Sequence, residues 1–73
     1  MSSIVEIKKK DMPKLSRKFT AINKNIDKIV YKYLYPYRKD KNKLLVNIKS
    51  VKKELELIKM RTLEIEYILE KYE

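Results

Sequence analysis

The side chains best suited to chemistry crowd the middle of the chain, where Tyr31, Tyr33, Tyr35 and Tyr37 interleave with Lys32, Arg38, Lys39, Lys41 and Lys43. Ammonium groups attract phosphates and tyrosine rings stack on exposed bases, so this mixture suits single-stranded nucleic acid or an RNA loop. Lys49, Lys52 and Lys53 extend the positive stretch. Tyr33 and Tyr37 are expected to pack inside the fold. The expected contact set for RNA or DNA is therefore Tyr31, Lys32, Tyr35, Arg38, Lys39, Lys41, Lys43, Lys49, Lys52 and Lys53. The only arginines are Arg17, Arg38 and Arg61, a composition that favours contact with the backbone over reading of base edges in the major groove.

Other chemistry is poorly provided for. The chain has no His, Cys or Gly, so imidazole bases and ligands, thiolates and glycine-built phosphate loops are absent. Ser2, Ser3, Ser16, Ser50, Thr20 and Thr62 have no histidine to activate them. Glu66 and Glu70 form an i,i+4 carboxylate pair, but a hard-cation site wants more oxygen ligands, and a solvated acidic face is the simpler reading. The reading is a non-enzymatic protein with no catalytic residue, metal site, cofactor or small-molecule substrate. No motif in the chain identifies a family.

Seventy-three residues make one small domain, and a domain of this size buries too little of its own surface to be comfortably stable alone. The net charge is +9. Part of this reflects composition: 16 Lys, 9 Ile, 4 Asn and 6 Tyr, together 35 of 73 residues, all have codons rich in A and T. The distribution of charge is more telling. Residues 1–53 carry 16 basic and 4 acidic side chains, a net +12, and residues 54–73 carry 3 basic and 6 acidic, a net −3. The longest aliphatic run, Leu44 to Val46, falls far short of the roughly 20 residues of a membrane helix. Three lysines follow the apolar residues Ile4, Val5 and Ile7, the reverse order of a secretory signal. The expected location is intracellular, in cytoplasm or nucleus, or inside the host cell if the source is viral.

The elements that must position these residues are helical. Residues 1–11 read as an N-terminal arm with at most a short strand over residues 3–7. Asp11 is the expected N-cap and Pro13 fits the first turn of a helix over about 12–35. Leu15, Phe19, Ile22, Ile26, Ile29 and Tyr33 follow spacings of 4 and 3, the seam of a helix packed along another helix. Pro36 stops this run and opens a basic turn over 36–41. Asp40 or Asn42 would cap a second helix over about 42–73, in which Leu44, Ile48, Val51, Leu55, Ile58, Thr62, Ile65, Leu69 and Tyr72 repeat the pattern with no Pro or Gly to break it. The short connection predicts antiparallel neighbours. The fold class is all-α, an antiparallel helical hairpin with a short N-terminal arm, expected to dimerise into a four-helix bundle or coiled coil. The second helix, about ten residues the longer, would overhang the first unless the arm covers it. Its acidic end would lie near Lys8, Lys9, Lys10, Lys14, Arg17 and Lys18.

A second apolar stripe lies opposite this seam, formed by Leu57, Met60, Leu63 and Tyr67. A helix that is apolar on two sides is usually buried on two sides. Either the arm folds over this stripe, or a second copy or another protein docks there, and homodimerisation is the most economical. The expected interface is Val51, Leu55, Leu57, Ile58, Met60, Leu63, Ile65, Tyr67 and Leu69. The function these features predict is a small assembly module that self-associates and contacts nucleic acid through its basic turn. The alternative is a protein-binding adaptor without nucleic-acid binding. A ribbon-helix-helix dimer with residues 3–9 as its ribbon is disfavoured by the long first helix. A membrane-surface role is disfavoured by the regular knob spacing and the absence of Trp.

Overall fold

A computed structural model describes residues 4–34 and 46–73. Among these residues the chain is all-helical: α1 spans Met12–Lys28, continues as a π-helical segment over Ile29–Leu34, and is followed by α2 over Ile48–Glu70. Residues 4–8 form no strand. The expected turn at 36–41, the stop at Pro36, the caps at Asp40 and Asn42 and the seam position Leu44 lie outside the described residues.

The first helix starts at Met12 as expected but is capped differently, and the second starts later than expected. Asp11 occupies the cap position of α1 but makes no side-chain cap hydrogen bond, because its carboxylate is buried against Tyr72, near the other end of the chain. The N–H groups of Asp11 and Met12 turn back to the Lys8 carbonyl instead (3.0 and 3.3 Å), and Pro13 has no donor to place. For α2 the cap is Asn47, whose side chain accepts from the Ser50 N–H at 3.2 Å. Among the described residues, Val46 and Asn47 precede the helix rather than belong to it. Residues 71–73 continue only as a turn.

Among the described residues the expected overhang is absent. The α and π segments before the connection contain 17 and 6 residues, together 23, which equals the 23 of α2. The pairs between helices, Asp11 with Tyr72, Lys18 with Glu64, and Asn25 with Arg61 and Glu54, descend along α2 as they climb α1. The helices are therefore antiparallel, as expected. The arm closes their free end, where Ile7 packs against the core of Leu15, Ile65 and Ile68, with Ile22 beside it.

This core is small, and the contact line is rolled away from the expected seams. On α1 the inward residues are Asp11, Leu15, Lys18, Ile22 and Asn25, while the expected seam residues Phe19 and Ile26 are 52 % and 43 % exposed. On α2 they are Glu54, Ile58, Arg61, Ile65 and Ile68, and the expected Ile48, Leu55 and Leu69 are 62 %, 44 % and 37 % exposed. At 3.6 residues per turn, the apolar stripes point about 40° (α1) and 60° (α2) away from the partner helix. The roll goes with polar pairing: Asn25 and Glu54, each 4 % exposed, face one another across the pair.

Candidate interaction surfaces

One side of the helix pair is a polar zipper. Asn25 Nδ2 donates to Glu54 Oε1 at 2.8 Å, and Asn25 Oδ1 accepts from Arg61 Nη1 at 2.6 Å. Lys28 Nζ lies 4.0 Å from the same Glu54 oxygen. A buried carboxylate is tolerated only with such partners. Two turns of α1 nearer the free end, Lys18 pairs with Glu64. At that end the Tyr72 hydroxyl donates to Asp11 Oδ2 and accepts from the Lys8 N–H at 3.2 Å. Asp11 Oδ1 has no hydrogen-bond donor, but Lys71 Nζ sits 3.8 Å away. The Tyr72 hydrogen bond holds the Asp11 carboxyl below its ordinary value of 3.8, against the opposing effect of burial, with Lys71, Lys10 and Lys14 adding to the lowering. The same bond, reinforced by burial, raises the Tyr72 phenol above its ordinary 10.0.

The opposite side of the pair is apolar and open. Because the helices are antiparallel, positions rotated in the same sense on each fall on one side of the pair. Met12, Phe19 and Ile26 of α1 therefore share a face with Leu55, Thr62 and Leu69 of α2. Their numbers match as Met12 with Leu69, Phe19 with Thr62 and Ile26 with Leu55, each pair summing to 81, so both helices carry the same seven-residue layers at the same levels. The five apolar members are between 37 % and 55 % exposed. Thr62 contributes its methyl group, since its hydroxyl donates to the Ile58 carbonyl at 2.8 Å.

The expected interface set divides among three environments. Ile65 is in the core, and Val51, Leu57 and Ile58 are half-buried along the contact line. Leu55 and Leu69 lie on the open face. Met60, Leu63 and Tyr67 are 57 %, 64 % and 71 % exposed on the far side of α2. The arm does not cover that stripe: Ile7 packs into the core at the free end, while Ile4 and Val5 are 92 % and 51 % exposed. The periodicity had located Phe19 and Ile26, but as inward-facing residues; the seven-residue match of Met12 to Leu69 needs the helix pairing to be seen.

Of the expected nucleic-acid set, Tyr35, Arg38, Lys39, Lys41 and Lys43 lie outside the described residues. Tyr31 is 65 % exposed, and Lys32, Lys49, Lys52 and Lys53 are exposed. Lys32 Nζ lies 6.0 Å from the centroid of the half-buried Tyr33 ring, within cation–π reach. Tyr31 projects from the outer side of the first helical segment, and Lys49, Lys52 and Lys53 from the outer side of α2. They share an end of the molecule but not a single face. Among the described residues no group of three or more acidic side chains is placed to hold a metal, and no helix is long and apolar enough to cross a membrane. Comparison with family models, curated proteins and solved structures finds no match.

Proposed function

We propose that the chain is a non-catalytic helical assembly module that self-associates and contacts the phosphate backbone of RNA or DNA through its basic end. The carrying observation is the imbalance of apolar surface. Among the described residues three apolar side chains are buried, whereas large apolar side chains are exposed along both helices. A chain of this size with so slight a core is expected to gain the missing burial from a partner. The polyanion part is supported by Tyr31, Lys32, Lys49, Lys52 and Lys53, which stand exposed at one end and flank the basic stretch of sequence between them.

The test of the polyanion part is a titration of fluorescent single- and double-stranded oligonucleotides at two salt concentrations. The expected result is micromolar binding that weakens steeply with salt, with a log–log slope of about −0.7 for each single-strand phosphate contacted. Absence of binding at low salt removes this part. A second reading, an adaptor that docks another protein without nucleic acid, is favoured by the exposure of Met60, Leu63 and Tyr67 on the far side of α2. An isolated apolar stripe of this kind marks a contact site more often than a solvent face.

A further inference from the structure

We infer that the open face formed by Met12, Phe19, Ile26, Leu55, Thr62 and Leu69 is covered by a second copy of this chain, related by a two-fold axis at the level of Phe19 and Thr62, with the basic ends at opposite poles. The inference rests on the self-association proposed above and specifies its surface and geometry. In a square four-helix bundle each helix touches two neighbours, so its apolar stripe points midway between them, about 45° from either. The stripes of α1 and α2 already point about 40° and 60° off the line between the helices, both to the same side. Half of such a bundle is therefore assembled within one chain.

The surface is of adequate size. When ordinary whole-residue areas are scaled by the exposures of the five apolar members and of the flanking Val30 and Ile48, they total at most on the order of 700 Å² per copy, near the roughly 800 Å² per partner of a standard interface.

Charge selects the orientation. Along the outer border of the face, at intervals of seven, stand Lys52, Lys59 and Glu66 on α2 and Glu73 just beyond its end beside Glu66 and Leu69, all exposed. Two copies of α2 laid antiparallel about Thr62 bring Lys59 beside Glu66 and Lys52 beside Glu73, each twice by symmetry. A shift of one layer brings Lys59 against its own copy and leaves Glu73 without a partner. The alternative two-fold, which stacks the basic ends together, sets Lys49, Lys52 and Lys53 of both copies at one pole. The corresponding border of α1 carries Ser16 and Asn23, uncharged residues that allow two α1 helices to approach about Phe19. In this arrangement Met12 meets Ile26 of the second copy and Leu55 meets Leu69.

The chain has no cysteine, which permits a direct test. Sedimentation of the full chain should give twice the 8.9 kDa chain mass. Thr62→Cys should oxidise in air to a disulfide-linked dimer. Leu55→Cys alone should not, but should form a mixed disulfide with Leu69→Cys. Phe19→Glu should shift the population to monomer by tenfold or more in dissociation constant, while Met60→Glu leaves the mass unchanged. A monomer at high micromolar concentration overturns both this geometry and the self-association. A dimer broken by Met60→Glu and not by Phe19→Glu, or one in which Thr62→Cys fails to cross-link, overturns the geometry and leaves self-association standing. The cysteine series keeps the test decisive if Phe19→Glu does not fold.

Discussion

Asn25 is the side chain on which the interior of this protein turns. Its amide oxygen and nitrogen are both engaged, by Arg61 and Glu54, at a level where the helices could have met through apolar residues alone. Asn25→Ala leaves the Glu54 carboxylate buried without its close donor, and the expected loss is about 1–3 kcal/mol in a urea melt followed by circular dichroism. Tyr72 plays the matching part at the free end. Because the Asp11 carboxyl is held below 3.8, its contribution to stability is complete above that value and fades as pH falls through the lowered one. Because the Tyr72 phenol is raised above 10.0, its contribution is complete below that value and fades as pH rises through the raised one. Tyr72→Phe should lower the melting temperature at neutral pH and flatten its decline in acid, since the substituted ring no longer donates to Asp11. An unchanged acid limb in a pH series of thermal melts would remove Tyr72 from that account.

At the next level the helices differ in how they begin. Asp11, by sequence an ordinary cap, is drawn into a tertiary contact, and a backbone turn at Lys8 takes its place. Asn47, which periodicity passed over as helix interior, does the capping of α2. Asn47→Ala should therefore cost about 0.5–2 kcal/mol, whereas Asn47→Asp should cost less, because aspartate caps as well as asparagine and adds a favourable charge at the helix N-terminus. Both are read from thermal melts of the variants. The π-helical segment after Lys28 brings the first helical stretch to the same length as α2. No residue type between Ile29 and Leu34 announces such a widened turn.

The molecule as a whole has a polar edge, an apolar face and a charge gradient. Its principal extents of 48 × 25 × 16 Å describe a flat, elongated molecule, and a single pair of helices has little interior unless a second layer covers it. If that layer is another copy, stability depends on concentration, and the thermal midpoint of the wild-type chain should rise when protein concentration is raised tenfold. A midpoint independent of concentration, measured across the range where sedimentation detects both species, would show that the second layer does not stabilise the fold. Opposed basic ends also suit the proposed polyanion contact, because they let a dimer hold two strands without crowding their phosphates.

Much of this was written in the sequence. The 4 and 3 spacings from Leu15 onward and from Ile48 onward require two amphipathic helices, and the lack of Pro and Gly in α2 lets it run unbroken. Periodicity, however, defines only where a stripe lies on its own helix. The direction in which that stripe faces is settled by the neighbour, and here Asn25, Glu54 and Arg61 are withdrawn from water by turning toward one another across the pair. In that rotation Phe19, Ile26, Leu55 and Leu69 are rolled outward and left as surface. Polar burial between residues 29 and 36 positions apart is a property of the folded pair, and no local pattern on either helix contains it.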